Sequence, residues 1–416
     1  MSRVPAVVTL ALLLVAVAVA AALLVPWAPL PGAHVRPDPA RDFTAAQIAR
    51  ELAFHRQVRW LAYVSLGLGV VVALALGLTP LGARLVDAVA RPLGGGWVWR
   101  VLLGTFALTL VARLVSLPFD ARAEVVGRRY GLSTQDWGGW AVDAVKGWLV
   151  SAVMTAAAVL VLVALARAAP RTWWVWGAAA TAALVVAGSF AYPLLVEPVF
   201  NRFTPLPAGS LRTDLLALAR KDGVPVDDVL VADASRRTTA LNAYVSGFGG
   251  TRRIVLYDTL LKTAPQPEVE LVVAHELGHA KQQDVLTGTL LGALGAAAGV
   301  IGLWLLLGWA PLLRRAGVDG AGDGRVVALL LALATVAGLL YTPVSNLVSR
   351  RIETRADVGA LDLTRDVPTF IDVQKRLALS NLSTLDPKPL TYALFATHPS
   401  PTQRISLARE WQRLRG

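Results

Sequence analysis

The sequence predicts a mainly α-helical, polytopic membrane protein with seven transmembrane helices and a small α+β region outside the bilayer. Three observations carry that prediction. Of 416 residues, 55% are hydrophobic and only 16% are charged, whereas a soluble domain carries about 25% charge. Seven apolar runs approach the ~20 residues that a helix needs to cross a hydrocarbon core about 30 Å thick. Two polar segments, 199–283 and 348–416, stand apart from those runs. This composition excludes intrinsic disorder and an ordinary cytosolic enzyme. The formal charge of +12, from 40 basic and 28 acidic residues, is no nucleic-acid footprint. The basic residues lie between and after apolar runs, where they act as topology signals, and no nucleic-acid partner is expected. The chain has no cysteine, so disulfides, thiolate nucleophiles and zinc ribbons are excluded.

The first apolar run spans roughly 6–26. One arginine precedes it and small residues lie within it, as in a cleavable signal peptide. Its apolar stretch is longer than a typical signal core, so a retained span is expected. The next runs lie at roughly 60–78, 98–116, 148–166 and 174–196, and the last two at 285–309 and 326–347. Trp27, Trp60, Trp99, Trp148, Trp174 and Trp309 mark their ends, as interfacial belts do. The loop after the first span holds Arg36, Arg41, Arg50, Arg56 and Arg59, and the loop after the third holds Arg122, Arg128, Arg129 and Lys146. The alternate loops are poorer in positive charge. The positive-inside rule then puts the amino terminus outside and the carboxyl terminus in the cytoplasm of a multi-pass protein of the cell membrane. The count of spans puts both polar segments on the cytoplasmic side. Four regions follow: five spans with their loops over 1–198, a cytoplasmic catalytic region over 199–283, two spans over 284–347, and a cytoplasmic carboxyl-terminal region over 348–416.

Within the first polar segment a helix-like stretch, Leu211 to Lys221, precedes two β-branched runs, Val229–Asp233 and Arg253–Tyr257, which predict strands. A further helix is expected from Pro267, with Glu268 and Glu270 at its positive end. That helix contains His275-Glu276-Leu277-Gly278-His279. Residues four apart share a helix face, so both imidazoles reach one metal ion. Glu276, about 100° around the helix, reaches a water on that metal without being a ligand. This is the H-E-x-x-H pattern of zinc peptidases, expected to act on a peptide or protein substrate. The chain has only five histidines and eight glutamates, which makes a chance occurrence improbable.

A catalytic zinc takes three protein ligands and leaves a fourth position for water. One Zn²⁺ per chain is expected, and its third ligand must come from the same side of the membrane. The run from Asn346 to Asp357 offers Glu353, with Asp357 one turn later as hydrogen-bond acceptor from a ligand imidazole. Spans six and seven form a hairpin, so His275, His279 and Glu353 emerge at one membrane face. Asp284, five residues after His279, either orients that histidine or marks the polar entrance to span six. His398, in Thr397-His398-Pro399-Ser400-Pro401, is either an oxyanion donor or a surface loop residue.

With these residues in view, the chain resembles the type 1 CAAX prenyl endopeptidases, integral-membrane zinc metalloproteases, over most of its length beyond the first span. The likeness runs through Leu117-Pro118-Phe119, Tyr130-Gly131-Leu132, Asp143, Lys146 and Glu197 to Phe203. It continues through Asp233 to Arg237, Asn242-Ala243-Tyr244, Gly247-Phe248 and Arg253 to Leu260, then His275 to His279 and Asn346 to Asp357. The resemblance implies seven helices enclosing a water-filled chamber, with zinc at its cytoplasmic end held by His275, His279 and Glu353. It implies Glu276 as general base and His398 as oxyanion donor, with Arg404 supporting the site. It also implies that the segment around Asn242 is an edge strand that pairs with substrate backbone. Asp284 stands where eukaryotic members often have histidine, and Leu241 where serine is common. The high arginine-to-lysine ratio and the alanine-rich spans resemble those of a bacterial member.

Two other enzyme readings and one non-enzyme reading compete. A heat-shock-type quality-control metalloprotease shares the zinc pattern but has about four spans. A site-2-type intramembrane protease carries the motif inside an apolar span, whereas here Lys281, Gln282, Gln283 and Asp284 follow at once. A transporter or scaffold with a structural metal requires a closed four-ligand site.

Overall fold

The computed structural model describes residues 3–247 and 249–416; Phe248 lies outside the described residues. Among the described residues seven helices are long and apolar enough to cross a membrane, one at each apolar run of the sequence. The first five are α1 (Val4–Leu24), α2 (Ala45–Gly77), α3 (Trp97–Arg129), α4 (Trp137–Ala168) and α5 (Trp173–Ala191). A π-helical turn, Tyr192–Val196, continues α5 into a short helix ending at Phe200. Several helices outrun their apolar stretches. The α2 helix starts at Ala45 because Thr44 and Gln47 form a capping box, so Arg50, Arg56 and Arg59 ride on a helix rather than in a loop.

Beyond Asn201 the polar region begins with β1 (Phe203–Pro205), α6 (Ser210–Lys221) and β2 (Asp228–Ala232). It continues with β3 (Ala243–Ser246), β4 (Arg253–Tyr257) and α7 (Gln266–Lys281). The sheet order is β1-β2-β4-β3, with β2 and β4 parallel and both outer pairs antiparallel. β3 is therefore an edge. At Gln283 the backbone turns left-handed (φ 55), which ends α7 and starts span six, α8 (Asp284–Leu307), in a new direction.

Span seven belongs to α9 (Val327–Thr364), a continuous helix of 38 residues. At ~1.5 Å per residue it is about 57 Å long, nearly twice a hydrocarbon core of about 30 Å. Its second half carries Glu353 and Asp357 into the polar region. Three helices complete the chain: α10 (Val367–Ser380), α11 (Pro389–Phe395) and α12 (Pro401–Arg415). α12 opens with a capping box formed by Ser400 and Gln403.

The buried residues fall into two main cores. In the membrane bundle α5 packs on α8, and α1 lies along the same helix. Close backbone approach joins α2 to α9: a Cβ added at Gly77 would fall 2.3 Å from the Ala332 Cβ, the small-residue contact that membrane helices use. The second core unites both polar segments, with Leu215, Leu256, Leu277, Leu361, Phe370 and Trp411 almost wholly buried. Each such side chain contributes about 1.5–3 kcal/mol by leaving water. The loop after span one straps α12, since His34 N–H donates to Glu410 and Arg409 pairs with Asp42. That loop and the carboxyl terminus thus share one face of the bundle. A cavity of about 1120 Å³ inside the bundle is lined by residues of α2, α3, α9 and Thr155 of α4, with Thr384, Thr391 and Phe395 at its polar-region end.

Candidate active site

The candidate constellation stands where α7 crosses the extramembrane half of α9. The two helices approach closely at Gly278, where an added Cβ would lie 3.4 Å from backbone atoms of Ala356. His275 and His279, one turn apart on α7, present Nε2 atoms 3.2 Å from each other. Glu353 reaches across with Oε2 3.2 Å from His275 Nε2 and Oε1 3.5 Å from His279 Nε2. Among the described residues these three are the group whose ligand atoms converge for a metal ion.

The outer nitrogens decide the protonation pattern. His275 Nδ1 lies 3.0 Å from Asp357 Oδ1, and His279 Nδ1 lies 2.9 Å from Asp284 Oδ2. Each carboxylate accepts the Nδ1 proton, which leaves both Nε2 lone pairs directed inward. With both imidazoles neutral, two lone pairs and a carboxylate face one another. Glu353 Oε2 is buried without a hydrogen-bond partner, a cost of about 1–3 kcal/mol if it stayed so. A cation among these atoms removes the repulsion, so the residues present fit a metal ion.

Both outer carboxylates are neutralised by arginine. Arg404 of α12 donates Nε to both oxygens of Asp357, at 2.9 and 3.1 Å, and its Nη2 lies 3.3 Å from His275 Nδ1. Asp357 is fully buried, and removing Arg404 would leave its charge uncompensated at a cost of about 3–5 kcal/mol. Arg355 pairs with Asp284 through a single contact, Nη2 to Oδ1. Asp284 is thus the first residue of α8 and stands within hydrogen-bond distance of His279.

Glu276 lies beside the ligand pair, and a cleft of about 680 Å³ takes in His275, Glu276, Asn242, His398 and Arg404. Burial raises the Glu276 carboxyl above its usual value, opposed by the neighbouring His275 and His279. His398 is exposed to the cleft, with Nε2 3.3 Å from Glu353 Oε1 and Nδ1 2.8 Å from Thr397 Oγ1. The helix of span seven aims its loop: Asn346 Nδ2 donates to Ala393 O, and Arg350 Nη1 donates to Tyr392 O and Ala396 O. Asn242 sits at the start of β3, exposed, its carbonyl accepting from Tyr257 N–H.

Sequence reasoning missed Arg355. It lies two residues from Glu353, about 200° around the helix, and its partner Asp284 is 71 residues away, so spacing carried no signal. Sequence reasoning also left several motif residues without a task, and the structure joins them into a seam between bundle and polar region. Thr134 N–H donates to Arg237 O and Thr239 N–H to Leu132 O, while Arg237 lies 3.5 Å from Asp143. Lys146 Nζ donates to Val199 O, and Glu197 stands 3.4 Å from both Tyr244 and Ser246 on β3.

Comparison with known proteins finds relatives over most of the chain. Residues 205–412 match the model of peptidase family M48, and residues 34–202 match that of the CAAX prenyl protease N-terminal region, described as five membrane helices. An uncharacterized metalloprotease, YhfN, of Bacillus subtilis is 33% identical over 73% of this chain and 72% of its own. A CAAX prenyl protease 1 homolog of Arabidopsis thaliana is 31% identical over 71% of this chain and 70% of its own. The fold matches the crystal structure of S. mikatae Ste24p with a TM-score of 0.75 at 20% identity, covering 97% of this chain and 98% of that one.

Proposed function

The chain belongs to peptidase family M48 and is a multi-pass membrane metalloendopeptidase; on that premise we propose that its metal is a single zinc ion held by His275, His279 and Glu353. The observation that carries this reading is the inward convergence of three lone-pair donors with both Nδ1 protons committed elsewhere. Their separations of 3.2–3.5 Å agree with the ~3.3 Å expected between tetrahedral ligands about 2.0–2.1 Å from zinc. Three ligands leave one position open, as catalysis rather than a structural site requires. Seven spans, rather than about four, favour the CAAX-protease-like reading over the heat-shock type.

When bound, zinc supplies Lewis acidity, lowering the pKa of a water and polarising the scissile carbonyl. Glu276 takes the proton of the attacking water and returns it to the leaving amine, and its raised affinity for a proton suits that shuttle. His398, held to the cleft through Arg350 and Asn346, donates to the developing oxyanion. Asp357 and Asp284 hold the ligand imidazoles in one tautomer, and Arg404 offsets the Asp357 charge. The free edge of β3, which follows Asn242, receives an extended peptide by backbone pairing, which demands little of its sequence.

A chelation and add-back titration tests this reading. Activity of the purified protein on an unstructured model peptide should vanish on chelation and return with one equivalent of zinc. Asp357→Asn should need about 10–100-fold more free zinc for the same recovery. Recovery with no metal, or equal titrations for the two proteins, would remove the assignment.

We further propose that the site faces the cytoplasm and the membrane is the cell membrane. The arginine-rich ends of α2 and α3 share the face of the polar region. The chain has no native cysteine, so Gly416→Cys reports orientation directly. Its thiol should resist a membrane-impermeant maleimide in intact cells and react after permeabilisation; labelling in intact cells would reverse the topology.

A further inference from the structure

We propose that Asn381 sets the register in which a peptide substrate docks on β3, by occupying the first outward-facing hydrogen-bonding position of that edge. The inference rests on the reading that β3 receives substrate backbone, and it assigns that site a residue which fixes where the chain is cut.

The geometry is that of a one-residue strand. Tyr257 N–H donates to Asn242 O, so the backbone groups of Asn242 face β4. In an extended chain the flanking residues face the opposite way, which turns Leu241, Ala243 and Val245 toward the open edge. At Leu241 both outward groups are taken by one side chain: Leu241 N–H donates to Asn381 Oδ1 at 3.0 Å, and Asn381 Nδ2 donates to Leu241 O at 3.2 Å. The carboxamide reproduces the paired contacts that a neighbouring strand residue would make. The Ala243 N–H meets only the Oδ1 of exposed Asn242, at 3.0 Å, a contact that an incoming strand displaces. Edge pairing therefore begins at Ala243 and is blocked at Leu241. Asn381 and Ala243 line the same cleft as His275 and Glu276.

The chain holds Asn381 there deliberately. Asn381 caps α10, and the next residue, Leu382, takes a left-handed conformation (φ 46) that is sterically disfavoured for any residue but glycine. Ser383 N–H closes the turn on Ala378 O at 3.0 Å, the Schellman arrangement that places a left-handed residue after a helix. Leu382 is buried, and its carbonyl accepts from His55 Nε2 of α2 at 2.8 Å, with Thr384 Oγ1 3.1 Å from the same nitrogen. A helix of the cavity wall thus fixes the turn that aims the amide at Leu241.

Side chains alternate faces along a strand, so a slip that preserves facing moves the substrate by two residues. Full-length protein in lipid nanodiscs would be given a library of unstructured synthetic peptides, with cut positions mapped by mass spectrometry. Asn381→Ala should add products displaced by two residues from the wild-type cut. Asn381→Asp, which still fills the position and accepts from Leu241 N–H, should keep the wild-type cut. If Asn381→Ala does not accumulate, Asn381→Ser, too short to reach both backbone groups, is read in the same way. Wild-type cut positions alone in the alanine or serine variant, or a displacement of one residue, would overturn the inference. A merely structural role would lower turnover without moving the cut. Peptides N-methylated at alternate residues separate this from the underlying reading. Wild-type indifference to methylation sinks edge pairing itself, whereas sensitivity together with an unshifted variant sinks only the role of Asn381.

Discussion

Glu276→Gln is expected to lower peptide turnover by about 10²–10⁴-fold while the protein keeps its full zinc content. The two halves of that result have different causes. Glu276 lies one residue from His275 on α7, so its side chain leaves the ligand face and its loss takes no metal ligand away. Glutamine matches its shape and leaves the buried surroundings intact, yet it cannot accept the proton of an attacking water. A neutral carboxamide has no basic oxygen to receive that proton. Metal analysis beside a steady-state assay checks both halves. Normal turnover would remove Glu276 as base, and loss of zinc would place it among the ligands.

Glu353→Gln should lose metal and activity together. Its carboxylate is the only anionic member of the ligand set, and its oxygens stand 3.2 and 3.5 Å from the two imidazoles. Removing it should weaken zinc binding by more than the about 100-fold that marks the upper range for groups behind the ligands. Added zinc should restore part of the activity, because His275, His279 and Glu276 remain in place. Thermal unfolding with and without zinc supplies the control, since wild type gains stability from a ligand that binds only the folded state and the variant should gain little. An unchanged zinc affinity in Glu353→Gln would move the third ligand elsewhere.

What could be read from the sequence was local or topological. Each of the seven apolar runs falls on a helix among the described residues, because the bilayer sets the length of an apolar stretch. The spacing of His275 and His279 gave one helix face, and the hairpin of spans six and seven brought Glu353 to the same side. Helix extents were less legible. Apolar runs end where the membrane ends, whereas α2 and α9 continue until a cap or a left-handed residue stops them, at Thr44 and Arg365. The continuation of α9 is what carries Glu353 to α7. Asp357, one turn after Glu353, lies 3.0 Å from His275 Nδ1, and Asp284 both begins α8 and lies 2.9 Å from His279 Nδ1.

The remainder depends on contacts between distant segments. Arg355 finds Asp284, Asn346 and Arg350 hold the His398 loop, and Asn381 meets Leu241 at a separation of 140 residues. No periodicity links such residues. Polar side chains at a folded surface choose partners only after packing has brought backbone groups within reach.

Zinc-edge X-ray absorption on the purified wild-type protein tests the central claim most directly. The account predicts one zinc per chain, with two imidazole nitrogens and one carboxylate oxygen at about 2.0–2.2 Å and a fourth light-atom position that exchanges with solvent. A zinc-free active protein, or a shell without imidazole, would contradict it.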